Sequence, residues 1–180
     1  IILFLDLHYN MVYNVMQELR KAYMNIFFLH KDPSRAARMQ CDKHVVKMVL
    51  ETTQMLSTAA RRNGFDIGYK SAYPNHPMTR WVGDNNYNFS WALDHAQELS
   101  KEYAARYNKF HKCQKVINKF IPLKGSYINF SEPPQCMPDE FKCNDYVRAY
   151  RDYYIHKIGE WKHPPKWFQS LDADPYYANV

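Results

Sequence analysis

Three residues capable of acid–base chemistry share one face of a predicted helix. His44, Lys47 and Glu51 follow one another at spacings of three and four residues. On an α-helix a spacing of seven returns to nearly the same direction, offset by about 20° and displaced by roughly 10 Å along the axis. An imidazole, an amine and a carboxylate on one face can move protons to and from a substrate. The same stripe is also typical of the solvated side of an amphipathic helix.

A second histidine lies in a loop that proline makes rigid. His76 belongs to the segment Tyr73-Pro74-Asn75-His76-Pro77, which leads into Arg80. The two prolines restrict the backbone on both sides of the Asn-His pair. Such a position suits contact with a substrate, and it suits the capping of a following helix equally well.

A third histidine begins a polar face on another predicted helix. His95, Glu98 and Glu102 occupy successive turns, an arrangement that could bind a metal ion. Di-metal carboxylate helices carry Glu-x-x-His twice, whereas this chain has His-x-x-Glu once. We therefore predict no metal site and no cofactor.

Nucleophilic motifs are absent from the sequence. There is no G-x-S-x-G elbow, no Walker loop and no G-x-G-x-x-G. Cys41 is close to His44 in sequence but points elsewhere on a helix, so it is interpreted as a core thiol. The four cysteines show no C-x-x-C pair, which favours free thiols in a reducing compartment.

The elements that must position these residues are predicted to be helices. Asp32-Pro33-Ser34 is a typical helix start, and a long helix should then run from Lys43 to about Arg62, where Asn63-Gly64 ends it. A second long helix is predicted over Thr79 to about Phe110, and a third over Asn144 to Trp161. The fold class is therefore all-α: a single-domain bundle of about three main helices with long irregular loops and a tail.

Composition sets the domain organisation and the class of partner. A chain of 180 residues with 46% hydrophobic content can bury one core. Residues 1–23 are interpreted as an upstream extension or a translated non-native segment, and 24–180 as one helical domain. The net charge of +6 favours an anionic partner such as nucleic acid. No apolar run reaches the ~20 residues of a membrane span, so we expect no membrane role, and we expect a monomer in the cytoplasm of a bacterial or phage-infected cell.

Several segments, in chain order, resemble the phage and bacterial pyrimidine-dimer DNA glycosylase/AP lyase family (phage endonuclease V-like). Met24–Leu29 resembles the start of that family, and Cys41–His44 resembles its Ala-Asp-Gln-His motif. Glu51 follows the histidine by seven residues, as the catalytic Glu of the family does. Met137–Lys142 resembles the Ile-Pro-Gln-Glu-Phe-Arg segment, and Pro165–Phe168 resembles Pro-Thr-Trp-Tyr.

The resemblance implies a catalytic role for three residues. The α-amine of Asn25 would attack C1′ of the damaged nucleotide, form a Schiff base and cleave the strand by β-elimination. An α-amine has an ordinary pKa of ~7.7 to 8.0, so a useful share is nucleophilic near neutral pH. Glu51 would stabilise the sugar cation and move protons, and His44 would orient the sugar or Glu51. Asn25 has this amine only in a chain that begins there.

The resemblance also implies double-stranded, damaged DNA as the partner. The family has Arg directly before the catalytic Glu and three residues after it, where this chain has Leu50 and Gln54. Contacts to DNA must then come from other side chains, and flipping a damaged base out of the duplex is comparatively cheap. The predicted DNA-binding residues are Lys47, His76, Arg80, Lys142, Lys157, Lys166 and Trp167.

Two other functions remain open at this point. The chain could be a non-catalytic basic nucleic-acid-binding module, in which His44, Lys47 and Glu51 form only a polar helix face. It could also be a metal-dependent hydrolase that uses the His95 face with His44 or His76. The first predicts salt-dependent binding without damage preference, and the second predicts loss of activity on treatment with EDTA.

Overall fold

A short apolar segment at the start of the described chain runs through the centre of the molecule without regular secondary structure. The structure, a computed structural model, describes residues 24–125 and 130–166. Ile26, Phe28 and Leu29 have no exposed surface, and Phe27 has almost none. Burial of each such side chain contributes roughly 1.5–3 kcal/mol. The segment is thus fixed by its own core residues, and Asn25 is fixed with it.

The first two helices follow directly from their capping residues. Helix α1 spans Pro33–Arg38, with the Asp32 side chain accepting a hydrogen bond from the Arg35 amide at 2.8 Å. Helix α2 spans Asp42–Arg62, close to the predicted bounds. It ends at Asn63, and Gly64 adopts a positive φ of 87° that suits glycine.

The second long helix of the prediction is two helices, so that part of the prediction is wrong. Helix α3 spans Pro77–Asp84 and helix α4 spans Asn86–Tyr107. Asn85 between them is extended, with φ −157° and ψ 164°, and its side chain accepts from the Asn88 amide at 2.9 Å. Asparagine favours the cap over the helix interior because its short side chain competes for backbone hydrogen bonds.

The remaining helices occupy the second half of the chain. Helix α5 spans Gln114–Ile117, and 3₁₀ helices span Asn118–Leu123 and Asp139–Phe141. Helix α6 spans Tyr146–Gly159, two residues inside the predicted bounds at each end, and the Asp145 carboxylate caps it. Over the described residues the chain has six α-helices and no strand, which confirms the all-α fold class.

The core joins the central segment to the helices through aromatic rings. The Phe28 ring stacks on Trp91 with centroids 4.2 Å apart and meets Trp81 edge-on at 5.2 Å. On the opposite side, Phe27 contacts Tyr154 of α6 with centroids 4.8 Å apart. The central segment therefore lies between the α3–α4 pair and α6, so the position of its backbone depends on both.

Within residues 24–125 and 130–166, no helix is both long enough and apolar enough to cross a membrane.

Candidate active site

The Glu51 carboxylate meets a backbone nitrogen from far away in the sequence. Glu51 lies on α2 and is only 6% exposed, because the central segment covers it. One carboxylate oxygen accepts a hydrogen bond from the Asn25 backbone nitrogen at 3.2 Å. The other oxygen forms an ion pair with Lys47 at 3.1 Å. The fold thus brings the nitrogen of Asn25 to a carboxylate 26 residues further along the chain.

The Asn25 side chain holds this nitrogen in place. Its amide nitrogen donates to the Cys136 carbonyl at 2.9 Å. Its oxygen accepts from the Ile26 amide at 2.9 Å and from the Tyr150 hydroxyl at 3.3 Å. Tyr150 has no exposed surface, and its single hydroxyl hydrogen is shared between Asn25 and the Pro134 carbonyl, which lies 2.7 Å away. Two distant parts of the chain, the loop at Cys136 and α6 at Tyr150, therefore hold the Asn25 side chain.

The environment of Glu51 changes its acidity. Burial raises the pKa of the carboxyl above its ordinary value, while Lys47, the Asn25 amide and the positive charge of Lys157 oppose that rise. Desolvation is the larger effect, because a charged carboxylate loses more solvation energy than a neutral acid does. A carboxylate with a raised pKa is a better proton acceptor than an exposed carboxylate.

His44 lies one turn before Lys47 in an aromatic cage. Its ring is 3% exposed, with centroids 4.9 Å from both Phe27 and Tyr154 and 5.0 Å from Trp161. Burial, together with the charge of Lys47, lowers the pKa of His44 to about 3, so the ring is neutral at physiological pH. Its Nδ1 atom has no hydrogen-bond partner among the residues that the structure describes.

One small pocket unites the predicted catalytic residues with two of the predicted DNA contacts. Its lining includes Asn25, His44, Lys47, Glu51 and Lys157. Lys157 comes from α6, where its ammonium group lies 5.7 Å from the centre of the Tyr153 ring. Burial and the charge of Lys47 lower the pKa of Lys157 below its ordinary value. The pocket therefore combines an acid of raised pKa with a lysine of lowered pKa.

Three predicted DNA contacts lie away from the pocket lining. Arg80 is exposed on α3. Lys142 is exposed beside the second 3₁₀ helix and forms an ion pair with Asp139 at 2.6 Å. His76 is 6% exposed and caps α3, with its Nδ1 accepting from the Met78 amide at 3.2 Å. The capping interpretation of His76 is therefore confirmed, and its buried ring does not face solvent.

The predicted tail contacts are partly described. Lys166 is exposed, and its backbone pairs with Asp42 at the start of α2, its amide donating to the carboxylate and its carbonyl accepting from the Asp42 amide, both at 3.0 Å. Lys43 in the same turn lies 4.7 Å above the Trp161 ring. The tail therefore docks beside His44. Trp167 lies outside the described residues.

The polar face of α4 has a structural role. The His95 ring has no exposed surface, with Nδ1 3.1 Å from the Pro33 carbonyl and Nε2 3.1 Å from the Gln40 side-chain nitrogen. The tautomer protonated on Nδ1 satisfies both contacts, since the carbonyl can only accept. Glu98 accepts from Lys101 at 2.6 Å, and Glu102 accepts from Arg106 at 3.0 Å. In the described ranges no three His, Cys, Asp or Glu residues are grouped as a metal site would require.

Sequence reasoning missed the residues that hold Asn25 and complete the pocket. No role was assigned to the Tyr150 hydroxyl and the Cys136 carbonyl, which contact Asn25, or to Tyr153, which lines the pocket. Tyr150 and Tyr153 share the face of α6 with Lys157. The spacing of three and then four residues was visible in the sequence. The contact of Cys136 was not, because a backbone carbonyl leaves no mark in residue type.

Comparison with known proteins agrees with this geometry. A family model described as pyrimidine dimer DNA glycosylase matches residues 24–115, just over half of the chain. The matched range contains Asn25, His44, Lys47 and Glu51, and it ends before α6. Neither the curated proteins nor the solved structures gave a significant match.

Proposed function

The chain belongs to the pyrimidine dimer DNA glycosylase family, and from that premise we propose that it repairs DNA by a glycosylase and AP-lyase reaction on pyrimidine dimers or other damaged pyrimidines. The family implies the glycosylase activity. The lesion, the lyase step and the Schiff base are the parts that we add.

One observation carries the proposal: the Asn25 nitrogen lies 3.2 Å from a carboxylate oxygen of Glu51. In a chain that begins at Asn25 this nitrogen is a primary amine. Glu51 can then accept a proton from the amine, which leaves a lone pair to attack C1′ of the damaged nucleotide. The raised pKa of the buried carboxyl suits this proton transfer.

The proposed reaction has two stages. First, the amine forms a bond to C1′ while the bond from C1′ to the base breaks, and the base leaves with the electron pair and takes up a proton. The sugar ring then opens to give a Schiff base between Asn25 and C1′. Next, loss of a proton from C2′ and departure of the 3′ phosphate cleave the strand. Glu51 is the residue near enough to the Asn25 nitrogen to move these protons.

Basic side chains near the pocket support the binding of DNA. Lys47 and Lys157 line the pocket, and Lys43 and Lys166 lie at the nearby end of α2. Lysines neutralise phosphate charges without reading sequence, which suits an enzyme that recognises damage. Leu50 has 41% of its surface exposed at the position where the resemblance implies an arginine, so these lysines would replace that contact.

Incision of damaged duplex DNA tests the proposal. The protein that begins at Asn25 is incubated with a duplex carrying one cyclobutane pyrimidine dimer, and strand cleavage and base release are measured. We expect cleavage at the dimer and none in the undamaged duplex. The alternative, a non-catalytic binding module, predicts salt-dependent binding to both duplexes and cleavage of neither, and that result would exclude the proposed reaction.

A further inference from the structure

The pocket contains a second amine beside the Asn25 nitrogen. Lys157 lines the same pocket as Asn25 and Glu51. It is half-buried on α6, one helical turn after Tyr153 and two turns after Tyr150. Since Tyr150 donates a hydrogen bond to the Asn25 side chain at 3.3 Å, the same face of α6 both fixes Asn25 and presents Lys157.

The second amine matters whenever a residue precedes Asn25. The Asn25 nitrogen is then part of a peptide bond, and its lone pair is delocalised into the carbonyl, so it cannot act as a nucleophile. In the sequence Met24 stands before it, and the Met24 side chain is 4% exposed in the core. A chain that begins at Met24 has the α-amine of Met24 itself, but in a chain that extends beyond Met24 a Schiff base has to come from a side-chain amine at the pocket.

Two lysines line the pocket, and their environments differ. Lys47 forms an ion pair with Glu51 at 3.1 Å and has 46% of its side chain exposed. Lys157 is half-buried in the pocket and faces the charge of Lys47, which lowers its pKa, while Glu51 and Glu160 oppose this change. A larger share of Lys157 is therefore unprotonated and nucleophilic than of a lysine in water.

We propose that, in a chain that extends beyond Met24, the ε-amine of Lys157 forms a Schiff base with the aldehyde of an abasic site in DNA. The inference rests on the proposed function for the pocket as a site for damaged DNA, and the abasic site is the substrate that the longer chain takes. The lysine nitrogen bonds to C1′ of the open sugar, the aldehyde oxygen leaves as water, and a carbon–nitrogen double bond forms. Glu51 returns a proton to the departing oxygen. Added borohydride reduces the double bond to a stable secondary amine.

Trapping with borohydride on the full 180-residue chain tests the inference. The chain and its Lys157→Arg variant are incubated with a duplex carrying one abasic site, and the adduct is digested and mapped by mass spectrometry. Arginine keeps the positive charge but forms no stable imine. Lys101→Arg is the matched control, because Lys101 lies exposed on α4 away from the pocket. A protein beginning at Asn25 is trapped in parallel.

We expect the full chain to give an adduct on Lys157. The Lys157→Arg variant should trap at least tenfold less, and Lys101→Arg should trap within about twofold of the parent chain. An adduct on Lys47, or no adduct from the full chain while the protein beginning at Asn25 gives one, would overturn the inference and leave the proposed function intact. Failure of both forms to trap would overturn the proposed function together with the inference.

Discussion

Two helices of this molecule each carry a buried histidine with acidic residues on the same face, and only one of these faces borders the candidate active site. We define the α2 face as His44, Lys47 and Glu51, and the α4 face as His95, Glu98 and Glu102. The α4 face is satisfied by protein partners, with both His95 nitrogens in hydrogen-bonding contact. The α2 face opens into a pocket, and His44 Nδ1 has no partner among the described residues.

The difference shows that residue type and spacing do not distinguish a face that lines a pocket from one that is satisfied inside the protein. Both faces carry a buried histidine with a lowered pKa, at about 3 for His44 and about 4 for His95. The two faces differ in the groups that contact them. Contacts from α1 and the segment before α2 satisfy His95, and basic residues of α4 itself pair with Glu98 and Glu102. On the α2 face the Asn25 nitrogen meets Glu51 beside a cavity. Six variants and a pH series test this separation.

The largest difference between the two faces is expected when Glu51 and Glu98 are each replaced by glutamine and the rate of base release is measured. We expect Glu51→Gln to slow base release by at least 100-fold, since proton transfer by a positioned group contributes about 10²- to 10⁴-fold. Binding of the damaged duplex should change by only about twofold. Glu98→Gln on the α4 face should remain within about twofold of the parent protein in both assays. Single-turnover base release and fluorescence anisotropy measure the two quantities, and equal loss of release and binding in Glu51→Gln would make Glu51 a structural residue.

Replacing the two histidines should affect different quantities: the free energy of unfolding for His95, and the rate of base release for His44. His95→Leu leaves the Pro33 carbonyl and the Gln40 amide without their partner. We therefore expect the free energy of unfolding to fall by about 2–4 kcal/mol, with base release per folded molecule unchanged. His44→Leu should lower base release at least tenfold and change the free energy of unfolding by about 1 kcal/mol or less. Urea denaturation supplies the unfolding energies, and a large stability loss in His44→Leu would contradict the assignment.

The two histidines should contribute alike to the pH dependence of stability. The folded pKa is about 3 for His44 and about 4 for His95, below the ordinary 6.5. Between those values and 6.5 the unfolded chain binds more protons, so the free energy of unfolding falls as the pH falls through this window. Each histidine should contribute a slope of up to about 1.4 kcal/mol per pH unit.

The variants isolate these slopes. His44→Leu and His95→Leu should each reduce the slope of the unfolding free energy between pH 4.5 and 6 relative to the parent protein. The slope of each variant has to be subtracted from that of the parent protein, because Glu51, whose pKa burial raises, contributes a slope of the opposite sign. An unchanged slope in either variant would show that the histidine concerned is not held neutral in the folded protein.

The smallest difference between the two faces is expected in DNA binding, when the lysines paired with the glutamates are replaced. Lys47 pairs with Glu51 at 3.1 Å, and Lys101 pairs with Glu98 at 2.6 Å. Lys47→Gln should weaken DNA binding a few-fold and reduce the slope of log binding constant against log salt by about 1. Lys101→Gln should leave both quantities unchanged. Equal effects of the two variants would mean that binding reflects net charge alone.

Local features of the fold could be predicted from the sequence. The end of α2 follows from Asn63-Gly64, and the helical spacing gave its polar face. The helix begins at Asp42, one residue before the predicted Lys43, with Cys41 at the cap position. The break at Asn85 was missed, because the apolar pattern continues across it on both sides. The Asn85 side chain caps the new helix and so allows a change of helix axis, but the spacing of apolar residues on both sides stays the same.

The candidate site was only partly predictable for a different reason. The family resemblance connected Asn25 with Glu51, and the structure brings them together as a hydrogen-bonded pair. The clamp on Asn25 depends on the Tyr150 hydroxyl and the Cys136 carbonyl, more than 100 residues away in sequence. The structural role of His95 likewise depends on Pro33 and Gln40. Contacts between residues so far apart in the sequence depend on tertiary packing, which the spacing of apolar residues does not reveal.

Covalent trapping of the protein that begins at Asn25 most directly tests whether the α2 face is an active site. The protein is mixed with duplexes carrying an abasic site or a cyclobutane dimer, borohydride is added, and the modified peptide is mapped. We expect one adduct on the α-amine of Asn25, with formation slowed at least 100-fold in Glu51→Gln. The absence of an adduct on both duplexes, or an adduct whose formation is indifferent to Glu51→Gln, would contradict the assignment.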